Sequence, residues 1–249
     1  MPFKDHFSPL ASVYSEFRPT YPDTLLDYVA GLCTRRELAW DCACGSGQAT
    51  VGLVERYDRV VAVDASAKQI AAATPHPRIS YREGRAEASG LAAESVDLVV
   101  VAQALHWFDL KRFYAEVQRV LRPGGVLALW SYGALQVEPP EADRLVQRFY
   151  RETVGPFWPP ERTLVEEGYR GLPFPYPDIP PPVFRMQQQW PLPRLLGYVR
   201  SWSATGRYVE QHGSDPVAAL EPQLGSVWGQ PSTERLVEWP LTLRVGRKP

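Results

Sequence analysis

The fold of this chain is decided by residues 39–50, which read AWDCACGSGQAT. The apolar run before the glycines predicts a strand over 38–42, and the apolar spacing after them predicts a helix over 48–57. Gly45 and Gly47 allow the backbone to turn sharply between these elements and to approach a ligand closely. The first N–H groups of the helix can then receive an anionic or polar group. The stretch therefore predicts a ligand site on a strand–turn–helix unit.

Outward from this unit, short strands and helices alternate over residues 23–131. The run VDLVVVA at 96–102 is continuously apolar, which is typical of a strand buried on both faces. Strands are predicted over 38–42, 59–63, 79–82, 96–102 and 126–130, and helices over 23–33, 48–57, 66–73 and 110–121. This alternation with short connections predicts a parallel sheet with helices on both faces.

The remainder of the chain differs in composition, because 13 of the 25 prolines fall within residues 139–193. Proline fixes φ and cannot donate a backbone hydrogen bond, so long regular elements are not expected over 155–182. The elements predicted beyond residue 131 are a helix over 138–151, a strand over 183–190, helices over 195–204 and 216–227, and a last strand over 241–245. The predicted strands number seven.

Composition narrows the classes of function. The chain carries 27 basic and 28 acidic side chains, and this balance argues against a nucleic-acid binder, which needs a basic face. No apolar run reaches 18 residues, so no membrane partner is expected. Cys33, Cys42 and Cys44 lack the spacing of zinc ligands and are predicted to be buried thiols, with no metal site. Without a signal-peptide pattern, the expected location is cytoplasmic.

The residues around the glycines indicate which ligand is bound. Asp64 ends the next strand, 17 residues after Gly47, where an acid takes both hydroxyls of a ribose. Thr50 replaces the last small residue of a dinucleotide motif, and no Gly-Lys-Ser/Thr phosphate loop is present. The carboxylate of Asp41 would repel a pyrophosphate but attract an ammonium group. The pattern favours an adenosine with a positive amino-acid end, and S-adenosylmethionine fits.

These motifs resemble those of class I S-adenosylmethionine-dependent methyltransferases, and more narrowly the small-molecule group that includes trans-aconitate methyltransferase. The segments that carry the resemblance are 41–50, 60–64, 83–87 (EGRAE) and 96–109 (VDLVVVAQALHWFD), with 17–22 (FRPTYP) and 201–204 (SWSA). The resemblance is firm over residues 7–131.

The resemblance implies an α/β fold with a Rossmann-like, doubly wound, mostly parallel seven-stranded sheet. It implies a single domain over residues 1–249 with four parts. These are an N-terminal lid segment (1–22), a cofactor-binding core (23–131), a substrate-covering insertion (132–232) and a final strand (233–249). The proline-rich stretch falls in the irregular insertion, where prolines limit the unfolded ensemble and help to hold a lid in shape.

The implied cofactor is S-adenosylmethionine. The residues implied to bind it are Tyr14, Arg18, Asp41, Ala43, Gly45, Gly47, Asp64, Ala65, Ser66, Ala86, Glu87, Gln103 and Trp107. In this assignment Asp41 holds the amino group of the cofactor, Arg18 its carboxylate and Asp64 its ribose hydroxyls. The chain departs from the family at Ala43, where relatives have a glycine, and at Arg85, where relatives often have an acid.

His106 is the candidate catalytic residue, with two interpretations. It is either a general base in a cleft or a histidine that forms a pocket wall or is hydrogen-bonded in the core, and the second is favoured. Methyl transfer from a sulfonium is an in-line displacement that neutralises charge, so a carboxylate acceptor needs no base. The neighbouring Trp107 either faces the sulfonium or packs in the core.

The predicted function is methyl transfer from S-adenosylmethionine to an oxygen, nitrogen or carboxylate of a small molecule. The alternative from another class is a cofactor-binding regulatory or partner-dependent module without turnover of its own. An NAD-dependent oxidoreductase is disfavoured by Thr50 and Asp41. Methylation of nucleic acid is disfavoured by the neutral charge and by the lack of an Asn-Pro-Pro-aromatic tetrapeptide. The expected partner is therefore a small-molecule methyl acceptor.

Overall fold

The computed structural model of the chain describes residues 17–249, so the predicted site residue Tyr14 lies outside the described residues. Within this range the strands form one eight-stranded sheet in the order β3-β2-β1-β4-β5-β8-β6, with β7 also paired to β8. The strands are β1 (Leu38–Cys42), β2 (Arg59–Asp64), β3 (Ile79–Glu83), β4 (Val96–Ala102), β5 (Leu121–Tyr132), β6 (Gln136–Val137), β7 (Arg185–Trp190) and β8 (Arg235–Arg247). Strands β1 to β5 are parallel, which confirms the predicted mostly parallel sheet.

Helices cover both faces of this parallel sheet, as predicted. The α-helices are α1 (Asp23–Gly31), α2 (Thr50–Leu53), α3 (Ala67–Ala71), α4 (Leu110–Val120), α5 (Pro140–Arg148), α6 (Arg162–Glu166), α7 (Leu192–Arg200), α8 (Ser203–His212) and α9 (Val217–Trp228). Alternate residues of β4 point to opposite faces. Val99 packs in one core with Phe113 of α4, and Val100 packs in another with Leu25 of α1. No helix within residues 17–249 is long and apolar enough to span a bilayer.

The order of the strands determines where a ligand can bind. β1 lies between β2 and β4, so the connections that leave β1 and β4 diverge at the carboxyl end of the sheet. In open α/β sheets the crevice at such a switch point is where ligands bind. Asp41, Asp64 and Gln103 all lie at or just beyond the carboxyl ends of their strands.

The prediction of seven strands is wrong by one, because the two-residue strand β6 is too short to leave a periodic signal. The last strand is also longer than the predicted 241–245. Its first half pairs with β6 and β7, and its second half pairs with β5. The pairing changes at Pro240, which lies opposite Arg185, while Leu241 lies opposite Tyr132. A proline inside a strand usually marks its end or edge, and this is why the sequence pattern missed the continuation.

The predicted helix over 195–204 is also wrong, because the structure has two helices, α7 and α8, separated by Ser201 and Trp202. The backbone of Trp202 is extended, with φ −69° and ψ 138°, and its side chain is buried. Its ring lies 5.5 Å from Tyr150 and 5.7 Å from Trp158, centre to centre. Packing of this aromatic cluster therefore overrides the local helical pattern. The predicted helix over 48–57 is likewise shorter, since only α2 is regular.

The segment between β5 and β8 builds a third core of its own, which packs on the extension of the sheet by β6 and β7. Its helices α5, α7, α8 and α9 contribute Val146, Leu195, Ala204 and Leu224 to one buried cluster. Residues 155–182 in this segment contain a short 3₁₀ turn and the five-residue α6, in agreement with the prediction that long regular elements are not expected there. It passes over the carboxyl end of the sheet through Tyr169, which contacts His106.

Candidate functional site

Asp41 lies near the end of β1 and is completely buried. Thr50, the first residue of α2, donates a hydrogen bond from Oγ1 to Asp41 Oδ2 at 2.5 Å. The other carboxylate oxygen, Oδ1, is buried and has no hydrogen-bond partner within residues 17–249. Burial, and to a lesser degree the negative charge of Asp64, raises the pKa of Asp41 to about 7. A buried carboxylate oxygen of this kind is suited to receive a cationic donor.

The turn after β1 is built from left-handed residues. Ala43 and Gly45 both have φ +57°, and Gly47 has φ +92°. A left-handed conformation costs a residue with a Cβ about 1–2 kcal/mol, so Ala43 is strained. A side chain at Gly47 would meet the hydroxyl of Tyr81, because an added Cβ would lie 2.7 Å from Tyr81 Oη. The turn therefore forms a backbone cradle that has no room for a side chain at Gly47.

Asp64 joins this turn to the end of β2. It accepts a hydrogen bond from the backbone N–H of Gly45 at 2.8 Å and another from that of Ser66 at 2.8 Å. Ser66 then caps α3 by accepting from Gln69 N, and Ala65 lies between the two. A carboxylate offers about four acceptor positions, so hydroxyl donors can be accommodated beside two N–H groups. The structure thus brings Asp64, Gly45 and Ser66 together, as the assignment of a ribose site requires.

Ala86 and Glu87 follow β3 and lie beside the same edge. Ala86 is buried, and Glu87 Oε1 accepts a hydrogen bond from the backbone N–H of Asp109 at 3.0 Å. Glu87 therefore ties this loop to the start of α4, since Asp109 is the N-cap of that helix. Arg85 is exposed. The structure places Ala86 and Glu87 near the site.

Gln103 connects the ends of β4 and β5. Its backbone is left-handed, with φ +60°, and both ends of its side-chain amide bond the backbone of Tyr132. Nε2 donates to Tyr132 O at 3.0 Å, and Oε1 accepts from Tyr132 N at 2.9 Å. This clamp role was not visible in the sequence, because Tyr132 is 29 residues away and belongs to another strand.

A cavity opens next to Gln103 and the 3₁₀ turn Leu105–Trp107 that follows it. Its walls include three of the predicted residues, Arg18, Gln103 and Trp107, together with the candidate His106. The other walls come mainly from the insertion and the end of β5, and they are Tyr132, Gly133, Ala134, Leu135, Tyr150, Trp158, Pro159, Arg162, Val165, Tyr198, Trp202 and Ser203. Arg18 Nη1 donates to Tyr132 Oη at 3.1 Å, so the segment before α1 reaches this cavity.

His106 is held in the cavity wall by a tyrosine of the insertion. Its Nδ1 lies 2.9 Å from the hydroxyl oxygen of Tyr169, a buried residue with φ +58°. Burial, together with the positive charge of Arg162, lowers the pKa of His106 to about 3. A group with so low a pKa is a weak general base near neutral pH. The geometry therefore supports the interpretation of His106 as a hydrogen-bonded wall residue.

The pKa of His106 predicts a stability effect that can be measured. The unfolded chain takes up this proton near pH 6.5, but the folded protein does so only near pH 3, so stability falls as the pH drops below 6.5. Between about pH 6 and 4, the wild type should lose about 1.4 kcal/mol more per pH unit than His106→Asn, which keeps an acceptor for Tyr169. Urea unfolding at several pH values measures the difference. The control is His212→Asn on the exposed end of α8, and equal pH slopes for all three proteins would contradict the prediction.

The three cysteines of the chain are buried. Cys33, Cys42 and Cys44 are buried free thiols, as predicted. Burial raises the pKa of each thiol, so none of them is an activated thiolate. Over residues 17–249, no group of three or more His, Cys, Asp or Glu side chains is arranged to hold a metal ion.

Comparisons with known proteins agree with this geometry. A methyltransferase-domain family profile matches residues 40–129. A Dictyostelium discoideum protein named as a methyltransferase is 33% identical over 225 residues, which are 89% of this chain and 86% of that protein. The trans-aconitate 2-methyltransferase of Azoarcus sp. is 36% identical over 121 residues, or 47% of this chain and 45% of that enzyme. A solved structure from Anaeromyxobacter dehalogenans, described as a type II methyltransferase, has a TM-score of 0.86 and 45% identity, covering 93% of this chain and 98% of that one.

Proposed function

Because this chain belongs to the S-adenosylmethionine-dependent methyltransferases, we propose that it methylates an oxygen, nitrogen or carboxylate of a small molecule held in the cavity beside His106. One observation carries the proposal. Asp41 Oδ1, which is buried and has no hydrogen-bond partner among the described residues, and the walled cavity lie at the same carboxyl edge of the sheet. This arrangement supports a methyl-donor site and a methyl-acceptor site at one edge of the sheet.

The residues present fit the cofactor. When bound, S-adenosylmethionine supplies a methyl group activated by its sulfonium. Asp41 would receive its amino group through Oδ1, and the backbone at Gly45 and Gly47 would lie under its amino-acid part. Asp64 would accept from its ribose hydroxyls while Gly45 N and Ser66 N hold the carboxylate in place. Arg18 would pair with its carboxylate.

The protein's contribution to the reaction is then placement and exclusion of water. Aromatic side chains form much of the cavity wall, so an enclosed acceptor is shielded from water and held against the cofactor. His106 stays neutral, because its pKa is about 3, and Tyr169 fixes its ring. His106 is therefore not assigned a required role in proton transfer. A methyl acceptor that is already anionic, or that loses its proton to water, does not need a general base from the protein.

The proposal is tested by binding and by turnover. Calorimetry with S-adenosylhomocysteine measures whether the cofactor site is functional, and incubation of the protein with labelled S-adenosylmethionine and a small-metabolite extract measures transfer. We expect saturable binding and at least one labelled small product. Binding without any product would favour the regulatory or partner-dependent module, and no binding at all would overturn the proposal.

Replacing Asp64 with alanine is expected to weaken S-adenosylhomocysteine binding at least tenfold. Each hydrogen bond to a charged group is worth about 1.5–3 kcal/mol, and the change also releases the N–H groups of Gly45 and Ser66. Calorimetry measures the dissociation constant. Asp58→Ala is the matched control, because Asp58 is exposed and precedes the opposite end of the same strand. Equal affinities for the two variants would remove Asp64 from the site.

A further inference from the structure

The hydrogen bond between Tyr169 and His106 has a defined direction. Tyr169 is 1% exposed, and its hydroxyl oxygen lies 2.9 Å from His106 Nδ1. Among the residues that the structure describes, Nδ1 is the one acceptor within hydrogen-bond distance of this hydroxyl. A buried O–H group without an acceptor is costly. Tyr169 therefore donates the hydrogen bond, and Nδ1 of His106 accepts it.

The backbone of the 3₁₀ turn Leu105–Trp107 supports the same direction. The first N–H groups of a helical turn have no partner within the turn. Burial raises the pKa of Tyr169, and hydrogen bonds from the backbone N–H groups of Leu105 and His106 act against that rise. The hydroxyl oxygen thus faces donors on this side, and the hydroxyl proton is left for Nδ1.

The direction of this bond determines the tautomer of His106. A neutral imidazole that accepts through Nδ1 carries its proton on Nε2. The ring is neutral near pH 7, because burial and the positive charge of Arg162 lower its pKa to about 3. His106 lines the cavity, whereas Tyr169 is not one of the lining residues. Within residues 17–249, Nε2 has no hydrogen-bond partner. The side of the ring away from Tyr169 therefore offers an N–H group to the cavity.

Tyr169 is held in position by the last strand of the sheet. Gly168 and Tyr169 both have left-handed backbones, with φ +62° and φ +58°. A Cβ at Gly168 would lie 2.7 Å from Thr242 Cγ2, so this approach to β8 needs a glycine. Arg244 of β8 donates from Nη1 to Tyr169 O at 3.1 Å and pairs with Asp178. Backbone strain at a residue with a Cβ persists where the surroundings hold it, and it is common at functional sites.

We propose that Tyr169 is a positioning residue that holds His106 in the Nε2–H tautomer, so that His106 presents a hydrogen-bond donor, and not a base, to the small molecule in the cavity. This inference rests on the proposed function, since it concerns the same cavity. Nδ1 is engaged by Tyr169, and Nε2 already carries a proton, so His106 cannot take a proton from the methyl acceptor. The N–H group instead holds one lone pair of an oxygen or nitrogen and leaves another lone pair free to attack the methyl group.

Nuclear magnetic resonance identifies the tautomer. Long-range hydrogen–nitrogen correlation spectra of the ¹⁵N-labelled full chain at neutral pH distinguish a protonated ring nitrogen from an unprotonated one. The spectrum of His106→Asn assigns the signals of His106 by their loss. We expect Nε2 to be protonated and Nδ1 to be unprotonated in the wild type. A proton on Nδ1 would overturn the proposal.

Tyr169→Phe tests whether the tyrosine sets this tautomer, because it keeps the ring and removes the donor. The ratio of the Nε2–H form to the Nδ1–H form should fall about fivefold, which is the effect expected for the loss of one hydrogen bond. Tyr176→Phe is the matched control. It removes another buried hydroxyl of the same segment, one that donates to Gln118 Oε1 at 2.9 Å, and it should keep the wild-type ratio. The same ratio in both variants would remove Tyr169 from the positioning role.

Two replacements of His106 test the donor role. A glutamine amide can place an N–H group near the position of Nε2, whereas an asparagine amide reaches only the position of Nδ1. Each variant is incubated with labelled S-adenosylmethionine and the small-metabolite extract. We expect His106→Gln to transfer label about tenfold faster than His106→Asn. Equal rates for the two variants, or loss of transfer in both, would overturn the donor role.

Binding of S-adenosylhomocysteine separates this inference from the proposed function. Tyr169→Phe and His106→Gln should each bind it within about twofold of the wild type, because the inference places both residues on the acceptor side. A large loss of cofactor affinity in both variants would assign the pair to the cofactor and overturn the inference. A wild type that has the Nε2–H tautomer but neither binds S-adenosylhomocysteine nor transfers label would overturn the proposed function alone.

Discussion

Asp41→Asn is expected to weaken S-adenosylmethionine binding about 10- to 100-fold at pH 8. Asparagine keeps the size of the side chain and an acceptor for Thr50. It is neutral, however, and cannot form an ion pair with an ammonium group. A hydrogen bond to a charged group contributes about 1.5–3 kcal/mol, which sets the size of the loss. Calorimetry on both proteins measures it. Asp58→Asn, the same chemical change at an exposed residue, should bind as the wild type does.

The pH dependence of the affinity difference between the wild type and Asp41→Asn shows whether a charge pair with the ammonium group is its cause. The pKa of Asp41 is about 7 in the protein without ligand, so an ammonium-bearing cofactor must be accompanied by loss of this proton. Below pH 7 the affinity of the wild type should fall about tenfold per pH unit, and Asp41→Asn should be nearly flat. The two curves therefore converge between about pH 6 and pH 5. Parallel curves would show that Asp41 does not meet the amino group.

The stability of the protein without ligand should change in the opposite direction. Asp41 has a folded pKa near 7, above its unfolded value near 4, so its contribution to stability is present below pH 4 and is lost as the pH rises to 7. Asp41→Asn removes that loss and should have a higher Tm than the wild type at pH 8. A variant that is more stable yet binds less tightly cannot be explained by misfolding. A lower Tm would mean that the carboxylate supports the fold rather than the cofactor.

Local patterns in the sequence were sufficient to predict which residues meet at the carboxyl edge of the sheet, where the cofactor site is proposed. β1 and β4 have the predicted bounds, and Asp41, Gly45 and Asp64 lie together at the carboxyl ends of neighbouring strands. This was predictable because the carboxyl ends of parallel strands lie at one edge of the sheet, and this does not depend on how the helices pack. The left-handed turn also follows from the residue types, apart from Ala43, where the structure accepts strain.

The acceptor side could not be predicted in the same way. Trp158, Arg162 and Tyr169 come from a proline-rich segment without periodicity. Tertiary packing brings Trp158 and Arg162 to the cavity wall and Tyr169 against His106. Tyr169 adopts a left-handed backbone that no local pattern indicates for a tyrosine. Pairs such as His106 with Tyr169 are distant in sequence, so a single chain carries no signal for them.

Gly47→Ala is expected to have the second large effect, on stability and on cofactor affinity together. Gly47 has φ +92°, a conformation that residues with a Cβ rarely adopt, and the added methyl would lie 2.7 Å from Tyr81 Oη. Backbone strain of this kind costs about 1–3 kcal/mol, and the cradle must shift to relieve the contact. We expect a loss of that size in urea unfolding and at least a tenfold weaker S-adenosylhomocysteine affinity.

A control variant separates the effect of backbone strain from the effect of the close contact with Tyr81. Gly90→Ala imposes a similar strain, at φ +68°, but its added Cβ has no atom within 4 Å. It should lose stability through strain alone and keep the affinity of the wild type for the cofactor. Tyr81→Phe removes the oxygen that the methyl of Gly47→Ala would meet, so the double variant should recover part of both losses. If Gly47→Ala costs no more than Gly90→Ala, or if Tyr81→Phe gives no recovery, the contact between the turn and β3 does not shape the cradle.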